Sequence, residues 1–193
     1  MSERTLPSSC AVALKEWATV LTAVERGEQL LLVRKGGLIE PGSGFALRSP
    51  VFAFYPTFEH QAVRYLRAPY QRYFEEALQR RAPAGHVQIE LAGMAVSTIP
   101  SHDPTVVERL SAFHIYTQEF VGQRLKWQPD EPLLVVVLRA FRLARPHRLV
   151  VSPQYVGCTS WVELESPLPL EGATPVLDEA AFQQRLQEIT SVL

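Results

Sequence analysis

The sequence predicts an α+β protein: a mixed sheet or partial β-barrel with helices packed outside it. Segments typical of strands and of helices follow one another, but without the regular alternation of a doubly wound fold. The unbroken apolar run Leu133–Leu138 is typical of a buried strand. The 193 residues, 47% of them hydrophobic, are enough for one core, and we expect a single domain over residues 1–193.

The N-terminal third is predicted to hold a helix followed by two strands. Apolar residues recur at helical spacing over Val12–Arg26, and Gly27 follows as a stop signal. Strands are predicted at Glu28–Val33 and Phe45–Tyr55, and the glycine-rich loop Gly36–Gly44 between them indicates a hairpin. We therefore expect these two strands to be neighbours in the sheet.

The rest of the chain continues with short helices and strands. Thr57 is placed as the N-cap of a short helix that begins at Phe58, and a helix at Tyr70–Arg81 ends before Pro83. The remaining predicted elements are a strand at His86–Thr98, a helix from Pro104 through Leu110 toward Gln123, strands at Leu133–Leu138, Arg148–Val151 and Ser160–Leu164, and a closing helix at Asp178–Val192.

Charge and hydropathy narrow the classes of partner. A formal net charge of −1 and a pI of about 6.5 give no bulk attraction to nucleic acid or to an anionic membrane, so any such contact must come from local clusters. Such clusters exist among the arginines: Arg64, Arg67, Arg72, Arg80 and Arg81, then Arg139, Arg142, Arg145 and Arg148. No apolar run is long enough to span a bilayer, and no secretory signal is recognised, so we expect a cytoplasmic protein without a membrane partner.

The first candidate site is the cluster Arg34-Lys35-Gly36-Gly37, which is followed by Glu40. A strand that ends in two cations and turns through two glycines places positive charge beside exposed backbone amides. Such a corner suits a phosphate or a carboxylate. The alternative is an ordinary glycine turn with solvated cations at its rim.

The second candidate site contains Thr57, His60 and Gln61. If Thr57 caps a helix, His60 lies in the first turn, where the positive end of the helix dipole favours a neutral imidazole. A neutral imidazole acts as a base or as a metal ligand, and His60 could meet Glu40 across the hairpin. A capping or packing role for His60 is the alternative.

No complete catalytic signature is present. The sequence has no Walker phosphate loop, no GxGxxG, HExxH or GxSxG motif, and no Asp-x-Lys or Glu-x-Lys pair of a metal-dependent nuclease. Cys10 and Cys158 form no CxxC pair, so reduced thiols are expected. Cys158 is a candidate nucleophile if His60 or His114 approaches it, although a small buried cysteine beside a turn glycine is the more common situation. No metal and no cofactor are predicted.

Arginines and aromatic residues alternate over residues 60–81, where Tyr65, Tyr70, Tyr73 and Phe74 are the rings. This mixture is able to stack on bases while it neutralises phosphates. On a helix, the same rings could instead face the core.

The sequence resembles the bacterial DUF1802 family, a domain of unknown function, over almost the whole chain. The resemblance lies in short segments: Trp17-Ala18, Gly27-Glu28-Gln29, Leu32 to Gly37, Glu40, Phe45, Phe54 to Thr57, His60-Gln61, Pro153, Tyr155, Gly157-Cys158 and Ser160-Trp161. This resemblance implies no established activity.

A weaker resemblance is to the ASCH domains, relatives of the PUA RNA-binding barrel, with their pattern Gly-x-Lys-x-x-Glu-x-Arg after a helix. Gly27 and Arg34 match this pattern, whereas Gln29 and Leu32 replace its lysine and glutamate. The resemblance therefore implies a PUA-like barrel with Arg34 in its cleft, but not the amide hydrolysis of some ASCH proteins.

We predict a binding module whose cleft holds an anionic ligand, either a nucleotide or a nucleic-acid segment. The predicted ligand-binding residues are Arg34, Lys35, Gly36, Gly37, Glu40, Thr57, His60 and Gln61. The alternative is a hydrolase, metal-dependent or nuclease-like, that uses His60 with Glu40 or Cys158. An interaction domain without a small ligand is a third possibility, and the sequence predicts no particular protein partner.

Overall fold

The computed structural model describes residues 6–35, 46–157 and 159–193, which form an open mixed sheet with five helices beside it. The strands lie in the order β2-β5-β4-β3-β1-β6, and β7 pairs with β5 outside this path. The strands are β1 (Ser9–Trp17), β2 (Leu31–Arg34), β3 (Val51–Thr57), β4 (His86–Ser101), β5 (Leu133–Val150), β6 (Trp161–Pro169) and β7 (Thr174–Pro175). The helices are α1 (Ala18–Glu25), α2 (Arg72–Gln79), α3 (Pro104–Arg109), α4 (Gln118–Lys126) and α5 (Glu179–Ser191). The predicted α+β class with a mixed sheet is confirmed, and the sheet is not closed into a barrel.

The segment predicted as one helix over Val12–Arg26 is instead a strand followed by a short helix. β1 lies between β3, to which it is parallel, and β6, to which it is antiparallel. A strand in the middle of a covered sheet has a nearly continuous apolar sequence, and periodicity alone does not distinguish it from a buried helix. α1 is buried from Ala18 to Val24, so it lacks the polar face that would have shown where it begins.

The hairpin expected between the first two predicted strands is absent. β3 lies between β1 and β4, and β2 pairs with β5, so two strands separate β2 from β3. The second strand covers Val51–Thr57, after Pro50, rather than the predicted Phe45–Tyr55. Proline has no N–H group for the ladder and is often found where a strand begins, which fits the start of β3 directly after Pro50.

β4 and β5 are the longest strands, and they pair in antiparallel fashion from end to end. The predicted strands at Leu133–Leu138 and Arg148–Val151 are the two ends of β5. The β4–β5 register shifts between Ile89 and Leu91 and again further along β4. Bulges of this kind bend a strand and increase its twist, so the long β4–β5 ribbon departs from a flat sheet.

Two hydrophobic clusters lie in the fold, and β3 contributes to both because its side chains alternate. Phe52 and Phe54 belong to the larger cluster, whereas Ala53 and Tyr55 belong to the smaller one. Gly93 of β4 lies against the two phenylalanine rings: a Cβ atom there would be 2.8 Å from Phe52 and 2.9 Å from Phe54. Glycine is therefore required for this close approach of β4 to the core.

Three helices begin at a side-chain cap. Asp103, Thr117 and Asp178 accept hydrogen bonds from backbone N–H groups in the first turns of α3, α4 and α5. The predicted closing helix agrees with α5. The predicted helix from Pro104 toward Gln123 is instead two helices, α3 and α4, which are separated by a 3₁₀ turn at Ser111–Phe113. Within the described ranges, every helix is too short or too polar to cross a membrane.

Candidate functional site

Arg34, the last residue of β2, is held inside the protein by the end of β1. Its Nη1 atom donates hydrogen bonds to Glu16 Oε2 and to the backbone carbonyl of Lys15, both at 3.2 Å. The side chains of Arg34 and Glu16 are only 13% and 6% exposed. Glu16 Oε1 also accepts the N–H of Trp17 at 2.7 Å. The carboxylate thus links β2 to the junction of β1 and α1.

Tyr116, just before α4, and Arg124 of α4 extend this ion pair into what we call the buried charge cluster: Glu16, Arg34, Tyr116 and Arg124. Burial raises the pKa of Tyr116, and the charge of Glu16 raises it further. Burial lowers the pKa of Arg124, the nearby charge of Arg34 lowers it too, and Glu16 acts in the opposite direction. One carboxylate therefore faces two guanidinium groups in a poorly hydrated setting, where each depends on it for neutralisation.

Lys35 is also buried, with 3% of its surface exposed. Its Nζ atom donates to the backbone carbonyl of Leu125 at 3.1 Å. Burial lowers the pKa of Lys35, and the carboxylates of Glu131 and Asp130 oppose this effect. In this conformation the ammonium group connects the end of β2 to the end of α4.

The helix expected after Thr57 is absent, so the helix-dipole argument does not apply to His60. Thr57 ends β3 and donates to the carbonyl of Glu16 at 3.2 Å, while His60 is exposed in a bend with φ of 61°. Gln61 Oε1 accepts the N–H of Thr19 at 3.4 Å and its hydroxyl at 3.0 Å. Because α1 has no side-chain cap from its own N-cap residue, Gln61 caps it from a distant loop.

Three of the predicted site residues therefore meet around the β1–α1 junction: Arg34, Thr57 and Gln61. Gly36, Gly37, Glu40 and Cys158 lie outside the described residues. In the part of the chain that the structure describes, no group of three or more His, Cys, Asp or Glu side chains is arranged to hold a metal ion.

Two of the rings and two of the arginines in residues 60–81 are engaged with the protein itself. Tyr65 and Tyr73 are 9% and 0% exposed, so their rings face the core. Arg64 forms an ion pair with Glu119 at 3.3 Å. Arg67 donates to two backbone carbonyl groups. The rings of Tyr65 and Tyr73 are therefore not available for stacking on bases, whereas Tyr70 and Phe74 are only partly buried.

A cleft of about 300 Å³ lies between α1, the end of α2, β3 and β4. Leu21, Phe54 and Leu91 give it an apolar floor. Tyr55 and Tyr155 also line it, and their ring centroids are 6.0 Å apart. We call this hollow the α1–α2 cleft, and its size is at the lower end of the range for small-molecule sites.

Charged groups of both signs line the α1–α2 cleft. The charged lining residues are Lys15, Arg80, Arg81, Glu25, Glu59 and Glu90. Two arginines of β5 lie beside this lining: Arg142 donates to the backbone carbonyl of Glu25, and Arg148 is directly opposite the lining residue Gln88. Opposite residues of paired strands project on the same face of a sheet. The lining itself therefore holds three cationic side chains and three carboxylates, and two further arginines of β5 stand next to it.

Arg80 and Arg81 are adjacent but differ in their partners. Arg80 forms ion pairs with Glu25 at 2.5 Å and with Glu90 at 2.6 Å, and hydrogen bonding to Glu25 raises the pKa of Arg80. Arg81 lies over the ring of Phe58, with its Cζ atom 4.9 Å from the ring centroid. It is exposed and has no ion pair with any carboxylate that the structure describes. Its hydrogen-bond donors therefore remain available to a ligand.

Sequence reasoning counted Arg80, Arg81 and Arg148 as charge clusters but did not assign them to a site. The residues of the cleft come from four separate stretches of the chain, so no motif connects them. One local signal was present: Arg80-Arg81 stands at a helix end just before Pro83, where a helix must stop.

The fold and the cleft define an α+β protein with an open mixed sheet and a hollow of ligand size. The family model described as a domain of unknown function, DUF1802, matches residues 13–188. The chain therefore belongs to the DUF1802 family, which confirms the resemblance seen in its sequence. No curated protein and no solved structure matches it, and the resemblance to ASCH and PUA-like domains is not confirmed.

Proposed function

We propose that this protein is a binding module for a small anionic ligand of the nucleotide class, held in the α1–α2 cleft. The observation that carries the proposal is the exposed guanidinium group of Arg81, which has no ion pair with a described carboxylate and lines an apolar hollow of about 300 Å³. A mostly apolar hollow with a few polar groups at its rim is the usual form of a small-molecule site.

Arg81 is the group best placed to bind the anionic part of the ligand. Its guanidinium plane rests on Phe58, which limits its orientations before a ligand arrives. A guanidinium group offers parallel N–H donors that match a phosphate or carboxylate. Arg80 is less available, because Glu25 and Glu90 already occupy its donors.

Tyr55 is the group best placed to contact the uncharged part of the ligand. It lines the cleft, and its hydroxyl makes no hydrogen bond to a described residue. Burial raises the pKa of Tyr55, so the hydroxyl remains a neutral donor at pH 7. The Tyr155 hydroxyl, in contrast, accepts the N–H of Glu165 at 3.0 Å. A flat ring on the apolar floor, with one polar edge toward Tyr55, completes a nucleotide-like ligand.

The proposal assigns the anion to Arg81 rather than to Arg34 and Lys35. Arg34 is paired with Glu16, and the Lys35 ammonium group donates to the carbonyl of Leu125 near the carboxylates of Glu131 and Asp130, so both groups already have partners within the protein. The second predicted segment still contributes, because Pro56 and Thr57 line the α1–α2 cleft.

Calorimetric titration of the protein with nucleoside mono-, di- and triphosphates tests the proposal. Arg81→Ala is expected to weaken binding at least tenfold, because losing a hydrogen bond to a charged group costs about 1.5–3 kcal/mol. Arg72→Ala is the matched control, since Arg72 is an exposed arginine at the other end of α2 and does not line the cleft. Failure of every nucleotide to bind below about 1 mM, or equal losses in both variants, would overturn the proposal.

A further inference from the structure

The distal half of β5 carries a row of exposed arginines. Residues 139–151 contain no acidic residue, and Arg142, Arg145 and Arg148 follow one another at intervals of three. All three are exposed. Arg145 and Arg148 form no ion pair with any carboxylate in the described part of the chain. The stability of the fold therefore does not account for their charge.

Two of these arginines stand at the wall of the α1–α2 cleft. Arg148 is directly opposite Gln88, a lining residue of β4. Arg142 donates a hydrogen bond to the backbone carbonyl of Glu25, which lines the cleft from α1. The row of arginines thus begins at the cleft instead of on an unrelated surface.

Arg145 lies between them, where β5 bulges away from β4. The pairing passes from Leu91 with Arg142 to Ile89 with His147, so β5 has more residues than β4 in this stretch. Residues inserted by a bulge are left unpaired and are re-aimed relative to the sheet. Arg145 therefore extends the basic row beyond the lining of the cleft.

The free edge of β5 favours an anionic chain over an added strand. β7 pairs with this edge only at Phe141 and Arg142. Further along, Pro146 lacks an N–H group, and the exposed cations Arg145 and Arg148 lie close to it along the strand. Proline and charge on an edge strand both oppose pairing with another strand. A ligand at this edge is therefore recognised by its negative charge.

We propose that the occupant of the cleft is one nucleotide of a single-stranded nucleic acid, whose neighbouring phosphates contact Arg145 and Arg148. This inference rests on the proposed function, because it uses the same cleft. A free mononucleotide leaves Arg145 without a contact, since Arg145 does not line the cleft. A paired duplex cannot offer its base to a hollow of about 300 Å³, because a base must first leave the stack to enter such a pocket.

The salt dependence of binding provides a quantitative test of this inference. For single strands, the slope of log affinity against log salt concentration is about −0.7 for each phosphate that a protein neutralises. If Arg145 and Arg148 each contact one phosphate, their joint replacement reduces the slope by about 1.4. Replacing arginines that do not contact the strand leaves the slope unchanged.

Fluorescence anisotropy with labelled oligonucleotides of about 12 nucleotides tests the inference between about 50 and 200 mM salt. The proteins are the wild type, Arg145→Gln with Arg148→Gln, and a control with Arg72→Gln and Arg109→Gln. The control also removes two exposed arginines, and neither lines the cleft. Single-stranded DNA, single-stranded RNA, duplex DNA and polyglutamate are compared, and mononucleotide binding is measured in parallel.

The expected result is that a single strand binds more tightly than a mononucleotide, a duplex or polyglutamate. Only the variant with Arg145→Gln and Arg148→Gln should show a smaller slope of log affinity against log salt concentration. The comparison of single-stranded DNA with single-stranded RNA shows which of the two the protein binds more tightly. Equal slopes in all three proteins would overturn the inference, as would binding of polyglutamate or duplex as tight as that of the single strand. If mononucleotides bind through Arg81 but oligonucleotides bind no tighter, the inference fails while the proposed function stands. If neither binds, both fail.

Discussion

His114 is expected to make the protein less stable in mild acid. Its ring is 3% exposed, with Nε2 2.9 Å from the carbonyl of Val107 and Nδ1 accepting the N–H of Tyr116 at 3.2 Å. These partners require a neutral ring that donates from Nε2 and accepts at Nδ1. A proton added to Nδ1 would face the N–H of Tyr116 and abolish that hydrogen bond.

The size of the effect follows from the pKa of His114, which burial lowers from 6.5 to about 4, with a smaller contribution from the charge of Arg67. The unfolded chain takes up the proton near pH 6.5, and the folded chain only near pH 4. The neutral ring therefore makes its full contribution to the free energy of unfolding above pH 6.5, and this contribution is lost as the pH falls toward 4. At about 1.4 kcal/mol per pKa unit, the loss is about 2 kcal/mol at pH 5 and about 3 kcal/mol when complete.

Urea unfolding of the wild type and of His114→Asn at about pH 7.5 and pH 5 measures this loss. The asparagine Oδ1 atom can accept the N–H of Tyr116 but does not titrate, so the variant should lose about 2 kcal/mol less stability than the wild type between the two pH values. His102→Asn, which removes an exposed histidine, is the matched control. The same pH dependence in the wild type and His114→Asn, or an NMR titration of His114 near pH 6.5, would refute the reasoning.

Three further predictions concern the free energy of unfolding. Gly93→Ala is expected to cost about 1–3 kcal/mol because its Cβ atom would overlap two phenylalanine rings. Gly122→Ala, in α4 with no atom within 4 Å of the new Cβ, should gain up to about 1 kcal/mol. If urea unfolding gave similar changes for both variants, the close contact of Gly93 with the rings would not be supported. Glu16→Gln should cost about 3 kcal/mol because it removes the buried counter-charge of Arg34, and adding Arg34→Met should recover part of the loss. Glu16→Gln as stable as the wild type would be inconsistent with this ion pair. Gln61→Ala should cost about 1 kcal/mol and speed amide exchange in the first turn of α1, and unchanged exchange there would show that this turn does not depend on the cap.

Elements with strong local signals agree with the structure. The predicted strand at His86–Thr98 lies within β4, where Val87, Ile89 and Leu91 are buried in alternation. Asp178, where the predicted closing helix begins, is the N-cap of α5. β1 had no such signal, because its run Cys10–Leu14 is apolar without alternation, and its assignment as a helix concealed the position of Glu16.

The error at β1 explains most of what sequence reasoning missed at the site. With this segment assigned to a helix, the sequence gives no sign that Arg34 pairs with Glu16. The α1–α2 cleft was invisible for another reason: its lining is assembled by pairing and packing between distant segments. A single sequence reports local preferences and not such tertiary proximity.

The position of β1 has a consequence for how the chain is made. β1 ends at Trp17, yet one of its two neighbours, β6, begins only at Trp161. At a synthesis rate of roughly 5–20 residues per second, the first strand leaves the ribosome some 7–30 seconds before this neighbour exists. During that interval one edge of β1 has no partner strand in the nascent chain, and an unpaired edge of this kind is open to pairing with other chains until β6 has been made.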